Sequence, residues 1–265
     1  MAITVVHNFI FSLVLDNKVI SADEVSSICE IGEQNWHYQN PEVFLKILEE
    51  KIKDRSTLDY WKTRFEEINS APSKNNLFLV ARLYYETLFG DYEYLALDMH
   101  GTPESVYLDL NLPYETDKQF DLITNLGTSE HVFNQAELFR TIHKLTKRNG
   151  VIYHGLPNQG QFDHGFFNYH PTFFYDLASA NDYVILLILL LCVTEVDGVE
   201  KSELHDISKP EQYRELVRQG NLPIQSGIHA FYRKKSDEAF SFPQQGVYQQ
   251  NPDRSTAEYW QKYSR

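Results

Sequence analysis

"SICEIGEQNWH", residues Ser27–His37, decides how the rest of the chain is read. Small and apolar residues flank Glu30, and Gly32 closes the run. A short apolar run bounded by glycine predicts a strand over Ser27–Ile31. Gly32 lets the backbone turn sharply and lets a ligand approach it. A turn that cradles pyrophosphate needs further glycines and a helix N-terminus under the phosphates. Here Gln34 and Trp36 stand where those glycines would be. Gln34 would obstruct a pyrophosphate and Glu33 would repel it. The stretch therefore suits a ligand that lacks phosphate and tolerates acids.

Outward from this turn, further strands are expected at Tyr92–Leu97, Phe120–Asn125, Gly150–Gly155, Val184–Val193 and Ile228–Arg233. Between them, Asn76–Phe89 has apolar residues at helical spacing and meets Gly90, a C-terminal cap. Gln135–Leu145 repeats the pattern, and Pro171 opens a third helix to Ser179. Strands alternating with helices predict an α/β fold, a mostly parallel sheet covered on both faces. The run Tyr183–Val193 is too short to cross a bilayer and reads as a strand buried on both faces. Residues 41–75 are helical, charged and additional to a minimal pattern. Residues 195–225 form a polar insertion, and the Gln-, Pro- and Tyr-rich extension 236–265 reads as irregular. The whole of 1–265 is taken as one domain.

The chain has 265 residues, is 42% hydrophobic and carries a formal net charge of -13. Such a surface repels nucleic acid and anionic lipid, so neither is an expected partner. Cys29 and Cys192 sit in apolar runs and read as buried thiols of a reducing, cytoplasmic protein. The apolar start has no Lys or Arg ahead of its hydrophobic part and is not read as a signal peptide.

Two more acids support the reading of the opening turn. "YEYLALDMHG" ends a strand on Asp98, where a carboxylate can accept hydrogen bonds from both hydroxyls of a ribose. "VYLDLNLPY" places Asp109 in a loop, where an acceptor can meet an adenine amino group. "QFDLITNLGTSEHV" and "LTKRNGVIYHGLP" follow as strands. In this order the chain resembles the class I S-adenosylmethionine-dependent methyltransferases. It shares with them an acidic glycine turn, an acid ending the second strand, an acid in the next loop and "NG" before the fifth strand. The resemblance covers about Ser26–Gly32 and Asn76–Val193, with Ile228–Arg233 as the antiparallel last strand.

It implies a Rossmann-like methyltransferase fold of seven strands with helices on both faces; the additional residues 41–75 read as a helical cap inserted into that fold near the site entrance. It implies S-adenosylmethionine as cofactor, held by Glu30, Gly32, Gln34, Asp98, Met99, Asp109, Leu110 and Asn125. That cofactor has an adenosine but no phosphate, and its sulfonium is cationic, so acids are welcome beside it. The chain departs from the family in its single glycine and in the 66 positions between Gly32 and Asp98, where about 20 is usual.

The acceptor is narrowed by what is missing. The loop after the fourth strand reads Asn125-Leu126-Gly127-Thr128, without the Pro-Pro-aromatic run of enzymes that methylate DNA amines and without a nucleophilic Cys. A small-molecule acceptor, methylated on oxygen or nitrogen, is expected. A hydroxyl acceptor needs a base, and His164, in a loop rich in Gly and aromatic residues, is the first candidate. His131 is the second. Asp163 and His170 add no ligand spacing that specifies a metal, so none is assigned. Two rival readings stay open: a methyltransferase-like module that binds without turnover, and a nicotinamide-dependent oxidoreductase. Homo-oligomerisation also stays open.

Overall fold

The Ser27–Ile31 run is a strand, every residue of it buried, in a computed structural model that describes residues 2–37, 41–71, 73–196, 198–220, 223 and 225–246. The chain forms two compact units, Met1–Thr146 and Lys147–Arg265.

In the first unit the elements run β1 (Ala2–Ile3), α1 (Val5–Asp16), β2 (Ser27–Ile31), β3 (Asn35–Trp36), α2 (Pro41–Lys51), α3 (Arg55–Ser70) and α4 (Asn76–Phe89). They continue as β4 (Glu93–Asp98), β5 (Val106–Tyr107), β6 (Phe120–Leu126) and α5 (Gln135–Leu145). The sheet order is β5-β4-β2-β6, all parallel, with Cys29 facing Leu95 on one side and Ile123 on the other. A chain that enters each strand from the same end brings the carboxyl ends of β2, β4 and β6 to one edge, where ligands of such sheets bind.

Local chemistry sets the helix ends. Thr4 opens α1: its side chain accepts the His7 N–H, and the His7 ring accepts the Thr4 N–H. Asp54 caps α3 by accepting the Thr57 N–H at 2.8 Å, and Asn134 caps α5 by accepting the Glu137 N–H. Gly90, at φ 76°, ends α4 as expected.

Within 41–75 the structure forms the helices α2 and α3. An aromatic cluster fastens them: Trp36 meets Phe44 edge-on at 5.2 Å, and Phe44 stacks on Phe65 at 4.8 Å. Trp36 also lies 5.4 Å from Tyr84 of α4. Each such pair adds about 0.5–1.5 kcal/mol beyond the area it buries. The apolar start of the chain becomes α1, whose Phe11 meets Tyr84, Tyr85 and Phe89 of α4 edge-on.

The second unit contains β7 (Thr146–Gln159), α6 (Pro171–Ala180), β8 (Tyr183–Val196), β9 (Val199–Asp206), α7 (Pro210–Arg218) and β10 (Gln225–Lys234). β10 lies between β7 and β8 and runs antiparallel to both, as expected of the last strand. Besides the short β1–β3 pair, the described residues hold eight sheet strands, four in each unit, one more than expected. The difference lies within 195–225, where Val199–Asp206 form β9, which pairs with β8, and Pro210–Arg218 form helix α7. The expectation of complete burial for β8 needs correction: Ile188–Leu190 are buried, but Val184 is 45% exposed. Among the described residues no helix is long and apolar enough to cross a membrane. The extension 236–265 lies largely outside the described residues.

Candidate functional site

β2 ends in the turn that opened the sequence reading. Gly32 has φ 77°, a left-handed conformation that glycine adopts without strain. Its N–H donates to the Leu97 carbonyl at 2.8 Å, and the Thr128 hydroxyl donates to the Ile31 carbonyl at 2.5 Å. The turn is thereby tied to β4 on one side and to the loop after β6 on the other.

Asp98 ends β4. One of its oxygens accepts the Glu33 N–H at 2.8 Å and the other accepts the His100 N–H at 2.7 Å. A carboxylate has about four acceptor positions, so two remain for a ligand. In Asp109, Oδ1 accepts both the backbone and side-chain N–H groups of Asn111. Asn111 in turn accepts two hydrogen bonds from Asn134, on its side-chain oxygen from the backbone N–H at 2.8 Å and on its carbonyl from the side-chain amide at 2.9 Å, which fixes the loop to the start of α5. Asp109 Oδ2 keeps its acceptor capacity.

These groups surround a cavity of about 360 Å³. Five of the eight residues expected to hold a cofactor line it: Gly32, Asp98, Met99, Asp109 and Leu110. His131 also lines it, on a short 3₁₀ turn, Ser129–His131. His100, Leu108, Asn111, Thr128 and Val132 complete the wall. These last five had no periodic signal in the sequence, although each lies within three positions of a residue that was singled out.

Glu30, Gln34 and Asn125 are not in the cavity wall. All three are buried. The Gln34 N–H donates to Glu30 at 2.9 Å, its side-chain amide donates to the Gly32 carbonyl, and the Tyr94 hydroxyl donates to Glu30 at 2.5 Å. They hold the turn from behind, and Asn125 does the same for its loop through Ser129. Burial pushes the Glu30 carboxyl up to about 7, against the hydrogen bonds it accepts. Glu33 also departs from the sequence reading. Its carboxylate is buried and paired with Arg82 at 2.6 Å, so it does not present its charge to the cavity.

His164 belongs to the second unit, where it is exposed in the turn after β7, next to Asp163 at φ 62°. His154, on β7 itself, is fully buried between Phe174 and Tyr232, and burial lowers its pKa to about 3.

The cavity chemistry discriminates between ligands. Past Gly32 the chain runs into β3, so no helix N-terminus follows the turn and a pyrophosphate finds no cradle there. Two carboxylates with open acceptor positions, beside the apolar walls of Met99, Leu108, Leu110 and Val132, fit a neutral nucleoside carrying hydroxyls and an amino group.

No protein-family model matches the chain, and no curated protein matches it in sequence. Solved structures are similar to it. A SAM-dependent methyltransferase from Archaeoglobus fulgidus is 14% identical over 86% of this chain and 94% of that one, with a TM-score of 0.41. StiE O-MT residues 961–1257 are 8% identical over 89% and 76%, with a TM-score of 0.38. A possible histamine N-methyltransferase from Thermotoga maritima is 12% identical over 88% and 96%, with a TM-score of 0.34.

Proposed function

We propose that the chain is an S-adenosylmethionine-dependent methyltransferase acting on a small-molecule oxygen or nitrogen acceptor. The observation that carries the reading is the pair Asp98 and Asp109 on one cavity, at the end of a glycine turn that leads into no helix.

When bound, S-adenosylmethionine supplies a sulfonium methyl open to in-line displacement. Asp98 would accept from the ribose hydroxyls, and Asp109 Oδ2 from the adenine amino group. Met99, Leu108 and Leu110 would pack on the base and exclude water from it. The task of the protein in such a displacement is mainly to position the reactants. A hydroxyl acceptor also needs its proton removed, and we assign that role to His131, which lines the cavity, or to His164.

The small-molecule reading draws on the net charge of -13, which disfavours nucleic acid as a substrate. Cys29 and Cys192 are free and buried, in keeping with a reducing, cytoplasmic compartment. Calorimetry with S-adenosylmethionine, S-adenosylhomocysteine and NAD tests the proposal. Binding of both sulfur compounds and not of NAD is expected. Binding of NAD alone would overturn it.

A further inference from the structure

We propose that Arg82 is a positioning residue for the cofactor cavity, acting through Glu33 to seat the loop Met99–Ser105 against the glycine turn. The inference rests on the methyltransferase reading.

Glu33 follows Gly32 and turns its side chain away from the cavity. That side chain is 0% exposed. It accepts from Arg82 at 2.6 Å, from the Thr102 N–H at 2.5 Å and from the Thr102 hydroxyl at 3.0 Å. Thr102 belongs to the loop that leaves β4 after Asp98 and carries the cavity residues Met99 and His100. Glu33 thus joins turn and loop twice, since its backbone N–H is also the donor to Asp98.

A buried carboxylate keeps its charge only with a partner. Arg82 on α4 is that partner, and it grips more than Glu33. Its guanidinium pairs with Glu104 at the far side of the same loop and lies 4.3 Å from the Tyr94 ring centroid. One side chain therefore holds the turn, the loop and β4 together.

The loop is pressed close. A Cβ at Gly101 would come 2.7 Å from Glu33 Oε2 and 2.4 Å from Ser105 Oγ. Only glycine lets the backbone pass so near the carboxylate. In a turn with a single glycine, the ion pair behind it supplies rigidity from the side opposite the ligand. Its loss would cost affinity for the nucleoside half of the cofactor, which is the half the loop meets.

The test uses the full chain, with S-adenosylhomocysteine and 5′-methylthioadenosine as probes in calorimetry. The double variant Arg82→Met with Glu33→Gln removes both charges and keeps the volume. It should remain folded by circular dichroism and bind both probes at least tenfold more weakly. Arg64→Met, which removes the Arg64–Glu86 pair between α3 and α4, should lower the melting temperature without changing either affinity. Gly101→Ala, which pushes the loop off Glu33, should weaken both probes at least threefold. A folded double variant with affinities within twofold of the parent overturns the proposal. If the double variant does not fold, unchanged affinity in Gly101→Ala does so instead. If the parent binds neither probe, the methyltransferase reading itself falls, a different result from an intact affinity in the variants.

Discussion

The backbone N–H of Glu33 donates to the carboxylate of Asp98 across 2.8 Å. The residue after the glycine turn and the acid that ends the neighbouring strand are therefore one structural element. The hydrogen bond aims Asp98 and leaves it acceptor positions for a ligand. It also explains how a turn with one glycine keeps a defined shape.

Beneath that turn, Glu30 predicts a pH dependence. Its pKa of about 7 in the folded chain lies above the ordinary 4.5, because burial disfavours the charged form. A raised folded pKa contributes stability that is complete below the unfolded pKa and is lost as pH rises through the folded one. The melting temperature should therefore fall from about pH 5 to about pH 8 in the parent, and Glu30→Gln should flatten that fall. Superimposable pH curves for parent and variant would show that Glu30 is not the titrating group.

Trp36 of β3 packs against both α2 and α4. It is 1% exposed and touches both Phe44 and Tyr84. Trp36→Ala should destabilise the chain by about 3–5 kcal/mol in urea unfolding. A loss below about 1 kcal/mol would mean that α2 does not pack as described.

The two histidines are separable by kinetics. With an acceptor in hand, His131→Ala should bind S-adenosylhomocysteine like the parent and lose about 10²–10⁴ in turnover if imidazole removes the proton. His164→Ala is the parallel experiment. A loss within about threefold for both would move the reaction to positioning alone.

Much of the candidate cavity was legible because it lies at strand ends. The apolar run Ser27–Ile31, the glycine at 32 and the acid at 98 each carry a local signal, and Asp109 follows by order. What escaped was set by tertiary contact. Arg82 and Glu33 are 49 positions apart, and no pattern in either segment announces their pairing. Glu33 read as a charge facing the ligand because sequence shows adjacency to the turn but not direction. Gln34 and Glu30 were assigned to the ligand for the same reason; instead the Glu30 carboxylate meets the Gln34 backbone N–H and the Tyr94 hydroxyl, and the Gln34 amide meets the Gly32 carbonyl. β9 and α7 were hidden by composition: Val199–Asp206 is mostly charged and polar, as suits a strand with exposed side chains rather than a core strand. The β1–β3 pairing is two residues long on each side, too short for any periodicity to show.

The most direct measurement of the central claim is calorimetric titration of Asp98→Ala with S-adenosylhomocysteine, beside the parent. The account predicts binding by the parent and a loss of at least tenfold in the folded variant. That corresponds to charge-assisted hydrogen bonds of about 1.5–3 kcal/mol. Equal affinity in parent and folded variant would contradict it, because the ribose would then have no partner at the end of β4.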